Sequence, residues 1–209
     1  MKKIEEIGWS EELFFSENKK EPVVIILIAE HNGKECIILQ KRAENIRQGG
    51  EISLPGGFFE EDDITEENAV LRECEEELGI SKSTIKIIGK LGVFITATEM
   101  KIDVFVGRTE NTKFKPNRDE VEKLIFLPVE EFLNMKSEEH HINVEFSVYE
   151  EIDGNKKVIF PAKELNLPEI YHNGWKGKKR KLHIYKYEGE VIWGITASIL
   201  RKFAEKIRD

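Results

Sequence analysis

The stretch "LRECEEELGI", Leu71–Ile80, places four glutamates within five positions, a crowding of like charges that a folded chain has to accommodate. On a helix, residues three and four apart share a face, so Glu73, Glu76 and Glu77 are predicted to line one side. Glu75 points away from these three. The apolar positions fall on a different face, suited to packing on a sheet: Val70, Leu71, Cys74 and Leu78.

Three carboxylates on one helix face repel one another, and a divalent cation would turn that repulsion into attraction. Carboxylate oxygens are hard ligands that suit Mg²⁺ or Mn²⁺. The alternative is an ordinary solvated face, since glutamate-rich helices are common surfaces. The neighbours favour a site: the turn "LPGG", Leu54–Gly57, leaves backbone groups free to face a ligand, and Arg72 can orient the carboxylates.

The glutamates lie on a helix predicted from about Glu66 to Leu78. Its start is capped either by Asp63 together with Glu66 or by Thr65 alone. Gly79 is a natural stop, because glycine adopts the left-handed conformation that ends many helices.

The surrounding pattern predicts an α/β (α+β) fold in which a mixed β-sheet is sandwiched between helices. Val23–Ala29 and Glu35–Gln40 form two strands joined by a hairpin at Asn32-Gly33. The last helix spans Val191–Arg208, and its apolar face is formed at helical spacing by Ile192, Ile195, Ile199, Phe203 and Ile207. We expect one domain over residues 1–209, with a leader at 1–22 and an insertion of extended chain and long loops at 136–181, before this helix.

The composition excludes several classes of protein. A net charge of −8 does not suit a nucleic-acid binder, which needs a basic surface. The longest apolar run, Val23–Ala29, is far too short to span a membrane, and acidic residues occupy the place of a signal sequence. Two cysteines do not make a disulfide framework, which favours a reducing setting. We therefore predict a cytoplasmic protein with neither a nucleic-acid nor a membrane partner.

The stretch from Gly57 to Ile80 resembles the Nudix box, G-x5-E-x7-R-E-U-x-E-E-x-G-U, in which U is bulky and apolar. The second half is complete from Arg72 onward, with Cys74 at a U position. The first half holds one residue too many. Counted back from Arg72, the position of the first acid is occupied by Ile64, and Asp63 is the acid nearest to it.

The flanks resemble the Nudix subgroup that hydrolyses coenzyme A. The upstream signature of that subgroup is similar to Ile38–Gly57, "ILQKRAENIRQGGEISLPGG". There are three departures from it. Gln40 and Lys41 stand at and next to the position of a threonine, the gap between Arg47 and Gly50 is one residue shorter, and Leu54 replaces a phenylalanine. Tyr185–Leu200 is similar to its terminal segment.

The resemblance implies hydrolysis of a diphosphate, with Mg²⁺ or Mn²⁺ held by Glu73, Glu76 and Glu77 and by the Gly56 carbonyl oxygen. It implies a small nucleotide-diphosphate substrate near Gly57, and a homodimer is compatible with it. Arg72 and Glu76 are expected to act in catalysis.

The resemblance also implies a further acid in the loop after the box, for which Glu120 is the candidate as base or ligand, with Glu122 in reserve. Arg42 and Arg47 are candidate phosphate contacts from their chemistry. The basic segment Lys176–Lys181 is either a solvated loop or a contact to the 3′-phosphate of coenzyme A, with Tyr171 and Trp175 beside it as candidates for stacking on adenine.

Three functions are left open. The first is hydrolysis of coenzyme A or its acyl derivatives to 3′,5′-ADP and a phosphopantetheine. The second is hydrolysis of another diphosphate, such as a nucleoside triphosphate, ADP-ribose or a dinucleotide. The third is a regulatory or binding module without turnover, which the intact Arg72, Glu73, Glu76 and Glu77 disfavour.

Overall fold

The computed structural model describes residues 21–208 and centres on a seven-stranded sheet. The strands are β1 Pro22–His31, β2 Lys34–Arg42, β3 Ile52–Ser53, β4 Gly56–Phe58, β5 Ile85–Ile95, β6 Lys101–Thr109, β7 Val121–Pro128, β8 Glu138–Ile142, β9 Glu145–Phe146, β10 Tyr149–Ile152, β11 Asn155–Val158, β12 Trp175–Lys176, β13 Arg180–Tyr187 and β14 Glu190–Ile192. The helices are α1 Glu66–Leu78, α2 Val129–Asn134 and α3 Gly194–Arg208, with short 3-10 turns at Lys82–Thr84 and Glu169–Tyr171.

The main sheet is mixed, as predicted. Its path runs β3-β2-β1-β6-β5, with β4 paired to β1 and β7 paired to β2. Strands β1 and β6 are parallel, and the other pairs are antiparallel. The β1–β2 hairpin turns at Asn32 (φ 51°) and Gly33 (φ 74°). Two successive positive φ angles match the twist of the flanking strands, so the hairpin prediction is confirmed.

Each face of the sheet carries its own hydrophobic core, because side chains along a strand alternate between faces. Val23, Ile25 and Leu27 of β1 pack against α1 through Val70, Cys74 and Leu78. Ile26 and Ile28 face the other way, into a core shared with α2 and α3. The predicted sheet between helices is therefore confirmed.

Both ends of α1 are set by local chemistry. Thr65 Oγ1 accepts a hydrogen bond from the Asn68 backbone N–H at 3.2 Å, so Thr65 is the cap and the alternative with Asp63 is wrong. Asp63 instead accepts from the Glu60 N–H at 3.0 Å. Gly79 ends the helix with φ 63°, and its N–H donates to the Glu75 carbonyl oxygen at 3.1 Å.

The terminal helix begins at Gly194, later than the predicted Val191. Glu190–Ile192 pairs with β13, with Ile192 opposite Tyr185, and this pairing is invisible to helical spacing. Ile195 and Ile207, expected on the apolar face, are partly exposed. Along the described residues 21–208, no helix has the length and apolar character needed to cross a membrane.

Residues 136–181 contain the predicted extended chain and loops before the last helix. Strand β8 pairs with β13, while β10–β11 and β9–β12 form two small ladders. Residues 1–20 of the expected leader lie outside the described residues.

Candidate active site

Glu77 is a buried carboxylate with a hydrogen-bond donor on each oxygen. The residue is 3% exposed. Gln40 Nε2 donates to its Oε1 at 2.7 Å, and the Gly56 backbone N–H donates to its Oε2 at 2.9 Å. Burial raises the pKa of Glu77 to about 8, against the opposing effect of these donors. The end of α1 is thereby tied to β2 and β4.

Arg72 links the loop before α1 to the other glutamates. Its Nε and Nη2 donate to the Asp63 carboxylate, the latter at 2.9 Å, and Nη2 also reaches the Phe58 carbonyl oxygen at 3.0 Å. Its Nη1 donates to Glu73 at 3.0 Å and to Glu76 at 2.8 Å. All the polar groups of one guanidinium are therefore used to orient carboxylates and the loop backbone.

These contacts shift the ionisation of the groups involved. The hydrogen bond from Arg72 holds the pKa of Asp63 below its ordinary value, and Asp63 raises the pKa of Arg72. Burial raises the pKa of Glu73, while Arg72 acts in the opposite direction. Asp63, the nearest acid to the counted position in the box, thus serves in the structure as the partner of Arg72.

Two glycines let the loop approach the helix. A Cβ on Gly57 would collide with the Glu73 carboxylate, and a Cβ on Gly56 would collide with the Val23 carbonyl oxygen. Gly56 also has a φ of 144°, which disfavours other residues. The predicted proximity of the "PGG" turn to the glutamates is therefore present in the structure.

The loop carrying Glu120 is docked on the end of α1. The Lys115 N–H donates to the Leu78 carbonyl oxygen and the Asn117 N–H to the Glu77 carbonyl oxygen, each at 3.0 Å. Asn117 Nδ2 donates to Glu120 Oε1 at 3.3 Å. Burial raises the pKa of Glu73 and of Glu77, and the negative charge of Glu120 adds a smaller effect in the same direction. Glu122, the reserve candidate, instead pairs with Lys41 at 3.4 Å.

Of the two candidate arginines, Arg42 is the last residue of β2 and Arg47 lies in the loop that follows. Arg42 Nε donates to the Arg47 carbonyl oxygen at 3.1 Å, and within residues 21–208 the terminal nitrogens of Arg42 have no hydrogen-bond partner. The Ala43 N–H donates to the Glu120 carbonyl oxygen at 2.9 Å, so this loop lies beside the Glu120 loop. Arg47 is exposed.

The three candidate glutamates of α1 differ in exposure: the Glu76 side chain is 52% exposed and that of Glu73 is 13% exposed, whereas Glu77 is buried. The sequence placed all three together on one carboxylate face, and the structure assigns Glu77 to the boundary with the sheet. Glu75 is exposed and off this face, as predicted.

The donor set fits a hard divalent cation in its chemistry. Carboxylate oxygens of Glu73, Glu76 and Glu77, with the Gly56 carbonyl oxygen, are the ligands that Mg²⁺ and Mn²⁺ prefer. Within residues 21–208, however, no three Asp, Glu, His or Cys side chains are arranged to hold a metal ion. In the structure, Arg72 donates to Glu73 and Glu76, while Gln40 and Gly56 donate to Glu77.

The basic segment Lys176–Lys181 and its neighbouring aromatic rings make their contacts within the insertion. Trp175 stacks on Phe146 with ring centroids 5.0 Å apart, and Tyr171 meets Trp175 edge-on. Lys181 pairs with Glu139 at 2.8 Å. Trp175, Tyr171 and Lys181 therefore have partners within the insertion, while Lys176, Lys178, Lys179 and Arg180 are exposed.

Sequence reasoning missed the contact that Gln40 makes with Glu77. The signal was present in the sequence, because Gln40 follows the apolar run of β2 and lies on the same face of the strand as Ile38. A polar residue on the core face of a buried strand needs a hydrogen-bond partner there.

The fold and the site define a protein class. A family model described as "NUDIX domain" matches residues 19–147, more than half of the chain. The chain therefore belongs to the Nudix family, and its relatives carry the name Nudix hydrolase.

Two relatives and one solved structure illustrate the similarity. The chain is 29% identical to the mitochondrial Nudix hydrolase 15 of Arabidopsis thaliana over 89% of its length, and spans 58% of that relative. It is 26% identical to the uncharacterised Nudix hydrolase NudL of Yersinia pestis, covering 93% of this chain and 82% of the relative. A MutT/nudix family protein from Enterococcus faecalis shares the fold, with a TM-score of 0.53, 15% identity, and coverage of 95% and 66%.

Proposed function

We propose that the chain is a metal-dependent diphosphatase whose substrate is coenzyme A or acyl-coenzyme A, cleaved to 3′,5′-ADP and the (acyl-)phosphopantetheine. The observation that carries the proposal is the hydrogen bond from the Gly56 N–H to Glu77 and the close approach of the Glu73 carboxylate to Gly57, with Arg72 holding Glu73 and Glu76. The subgroup-like segments at Ile38–Gly57 and Tyr185–Leu200 support the choice of substrate.

A diphosphate is polyanionic, so glutamates cannot hold it without a cation between them. Glu73, Glu76, Glu77 and the Gly56 carbonyl oxygen would hold Mg²⁺ or Mn²⁺. When bound, the ion supplies positive charge for the phosphate oxygens and makes water more acidic.

The side chains around the site have separate tasks. Arg72 fixes the orientation of Glu73 and Glu76, and Gly57 leaves the space that a side chain would fill. Arg42 and Arg47 would contact phosphate oxygens, since a guanidinium presents parallel donors. Water adds to one phosphorus, the bridging P–O bond breaks, and Glu120 accepts the proton of the attacking water.

Hydrolysis of a nucleoside triphosphate, ADP-ribose or a dinucleotide is the alternative. The shorter gap between Arg47 and Gly50 and the unmatched segment 136–181, where the chain departs from the coenzyme A subgroup, favour it. A homodimer in the cytoplasm stays a prediction from the resemblance and the composition.

The test is a substrate panel with product identification. The purified chain is incubated with Mg²⁺ or Mn²⁺ and coenzyme A, acetyl-coenzyme A, dephospho-coenzyme A, ADP-ribose, a dinucleotide or a nucleoside triphosphate. We expect 3′,5′-ADP from coenzyme A, and AMP only from the dephospho form. Cleavage of ADP-ribose without 3′,5′-ADP formation would establish the alternative, and no cleavage at all would support a binding module.

A further inference from the structure

Gln40 lies in the most buried part of the sheet. It is 1% exposed in β2, next to Leu39 and on the same side of the strand as Ile38. An amide in such surroundings is costly unless it is hydrogen-bonded. Its oxygen Oε1 has no hydrogen-bond partner within the described part of the chain, so the environment is not built to satisfy the whole amide.

The amide nitrogen has one partner, the Glu77 carboxylate. Gln40 Nε2 lies 2.7 Å from Glu77 Oε1, and the Gly56 N–H lies 2.9 Å from Oε2. One donor comes from β2 and the other from β4, so the two strands hold the carboxylate at both ends. A carboxylate clamped from two sides keeps one orientation, whereas a single donor would leave it free to turn.

We propose that Gln40 is a positioning residue that fixes the side chain of Glu77 for metal binding. The inference rests on the proposed metal site, and it assigns a task that no resemblance supplies. An apolar residue of the same length would fill the volume at position 40 without an unpartnered oxygen. The contact that sets glutamine apart from such an apolar residue is the hydrogen bond that it donates to Glu77. Groups that orient metal ligands in this way commonly affect the affinity for the metal.

The test measures metal binding in the absence of substrate. The dissociation constant for Mn²⁺ is determined on the full chain by electron paramagnetic resonance of the free ion. Gln40→Met keeps the length of the side chain and removes the donor, and we expect it to weaken binding by about 10-fold to 100-fold. At saturating Mn²⁺ we expect kcat to recover, because Gln40 does not touch the substrate.

Ser53→Ala is the matched control. Ser53 lies opposite Gln40 on β3, and its buried hydroxyl oxygen has no partner among the described residues. Its removal should leave Mn²⁺ affinity unchanged. Gln40→Asn serves as the second variant in case Gln40→Met fails to fold, since it keeps a buried amide but is too short to reach Glu77. We expect weakened binding from it as well.

The outcomes separate this inference from the proposed function. Wild-type affinity in a folded Gln40→Met or Gln40→Asn variant overturns the inference alone. Failure of the wild type to bind Mn²⁺ overturns both it and the metal site. If Mn²⁺ binding depends on Gln40 while no diphosphate of the panel is cleaved, the inference stands and the proposed function falls.

Discussion

Glu77 is held in a place where an ionised carboxylate is unfavourable. It is nearly inaccessible to water, and Glu73 and Glu120 add negative charge to its surroundings. The donors from Gln40 and Gly56 offset only part of this cost, since the pKa remains raised. Such local instability is common where a site is shaped for a ligand.

Replacing this carboxylate should stabilise the metal-free protein. The pKa of Glu77 is about 8 in the folded chain, against an ordinary value near 4.5. In the wild type, the ionisation of buried Glu77 therefore costs no stability below pH ~4. The cost appears as the pH rises and is complete above pH ~8. We expect Glu77→Gln to raise the free energy of unfolding by a few kcal/mol at pH 9 and to change it little at pH 4.

Urea unfolding in the presence of a chelator measures this difference at both pH values. Glu75→Gln, a change of the same kind at an exposed position of the same helix, should have little effect at either pH. A Glu77→Gln variant that is less stable than the wild type at pH 9 would contradict the expectation.

The pair formed by Asp63 and Arg72 should have the opposite pH dependence. Arg72 lowers the pKa of Asp63, so the stability from this pair is present above pH ~4 and is lost as the pH falls further. We expect Asp63→Asn to lower the free energy of unfolding by about 1 to 3 kcal/mol at pH 7. Unfolding measured at pH 7 and pH 3 checks this, and a difference that grows at pH 3 would count against it.

At the scale of elements, α1 was the best predicted part of the chain, because its signals are local. Thr65, the apolar stripe and Gly79 define its bounds within a few residues. The start of α3 was misplaced because Glu190–Ile192 is recruited by β13, a neighbour in space. The helix face on which Glu77 lies was predicted from the rotation per residue along a helix. Its burial was not, because Glu77 contacts Gln40 and Gly56 of strands β2 and β4.

Gly79, at the end of α1, lies against the loop that carries Glu120. Its φ is 63°, and a Cβ there would collide with the Lys115 backbone oxygen. We expect Gly79→Ala to displace this loop, to lower kcat, and to cost more stability than the ~1 to 2 kcal/mol of a left-handed residue alone. Gly33→Ala is the control, since Gly33 has a similar φ of 74° with no atom within 4 Å of the added carbon.

Thermal unfolding and initial rates of the two alanine variants give the comparison. Equal losses of stability at Gly33 and Gly79, with kcat unchanged in both, would show that the Lys115 contact does not hold the Glu120 loop in place.

At the scale of the whole molecule, the sheet separates two cores, and the site lies on the face that α1 covers. The order of strands and helices along the chain made the mixed architecture predictable, and the continuous apolar run Val23–Ala29 marked a buried strand. The insertion was predictable only as extended chain, because its pairings, such as β8 with β13, join segments that are distant in sequence. A role of the insertion in substrate choice is therefore tested by the substrate panel.

The most direct test of the account compares two neighbouring glutamates of α1. Glu76 and Glu75 are both exposed, but only Glu76 is held by Arg72 in the site. Hydrolysis of the fastest substrate of the panel is measured with saturating Mg²⁺ and again with a chelator. We predict that Glu76→Gln lowers kcat by ~100-fold or more, that Glu75→Gln retains wild-type rates, and that the chelator abolishes turnover. Equal rates for the two variants, or turnover that survives the chelator, would contradict the account.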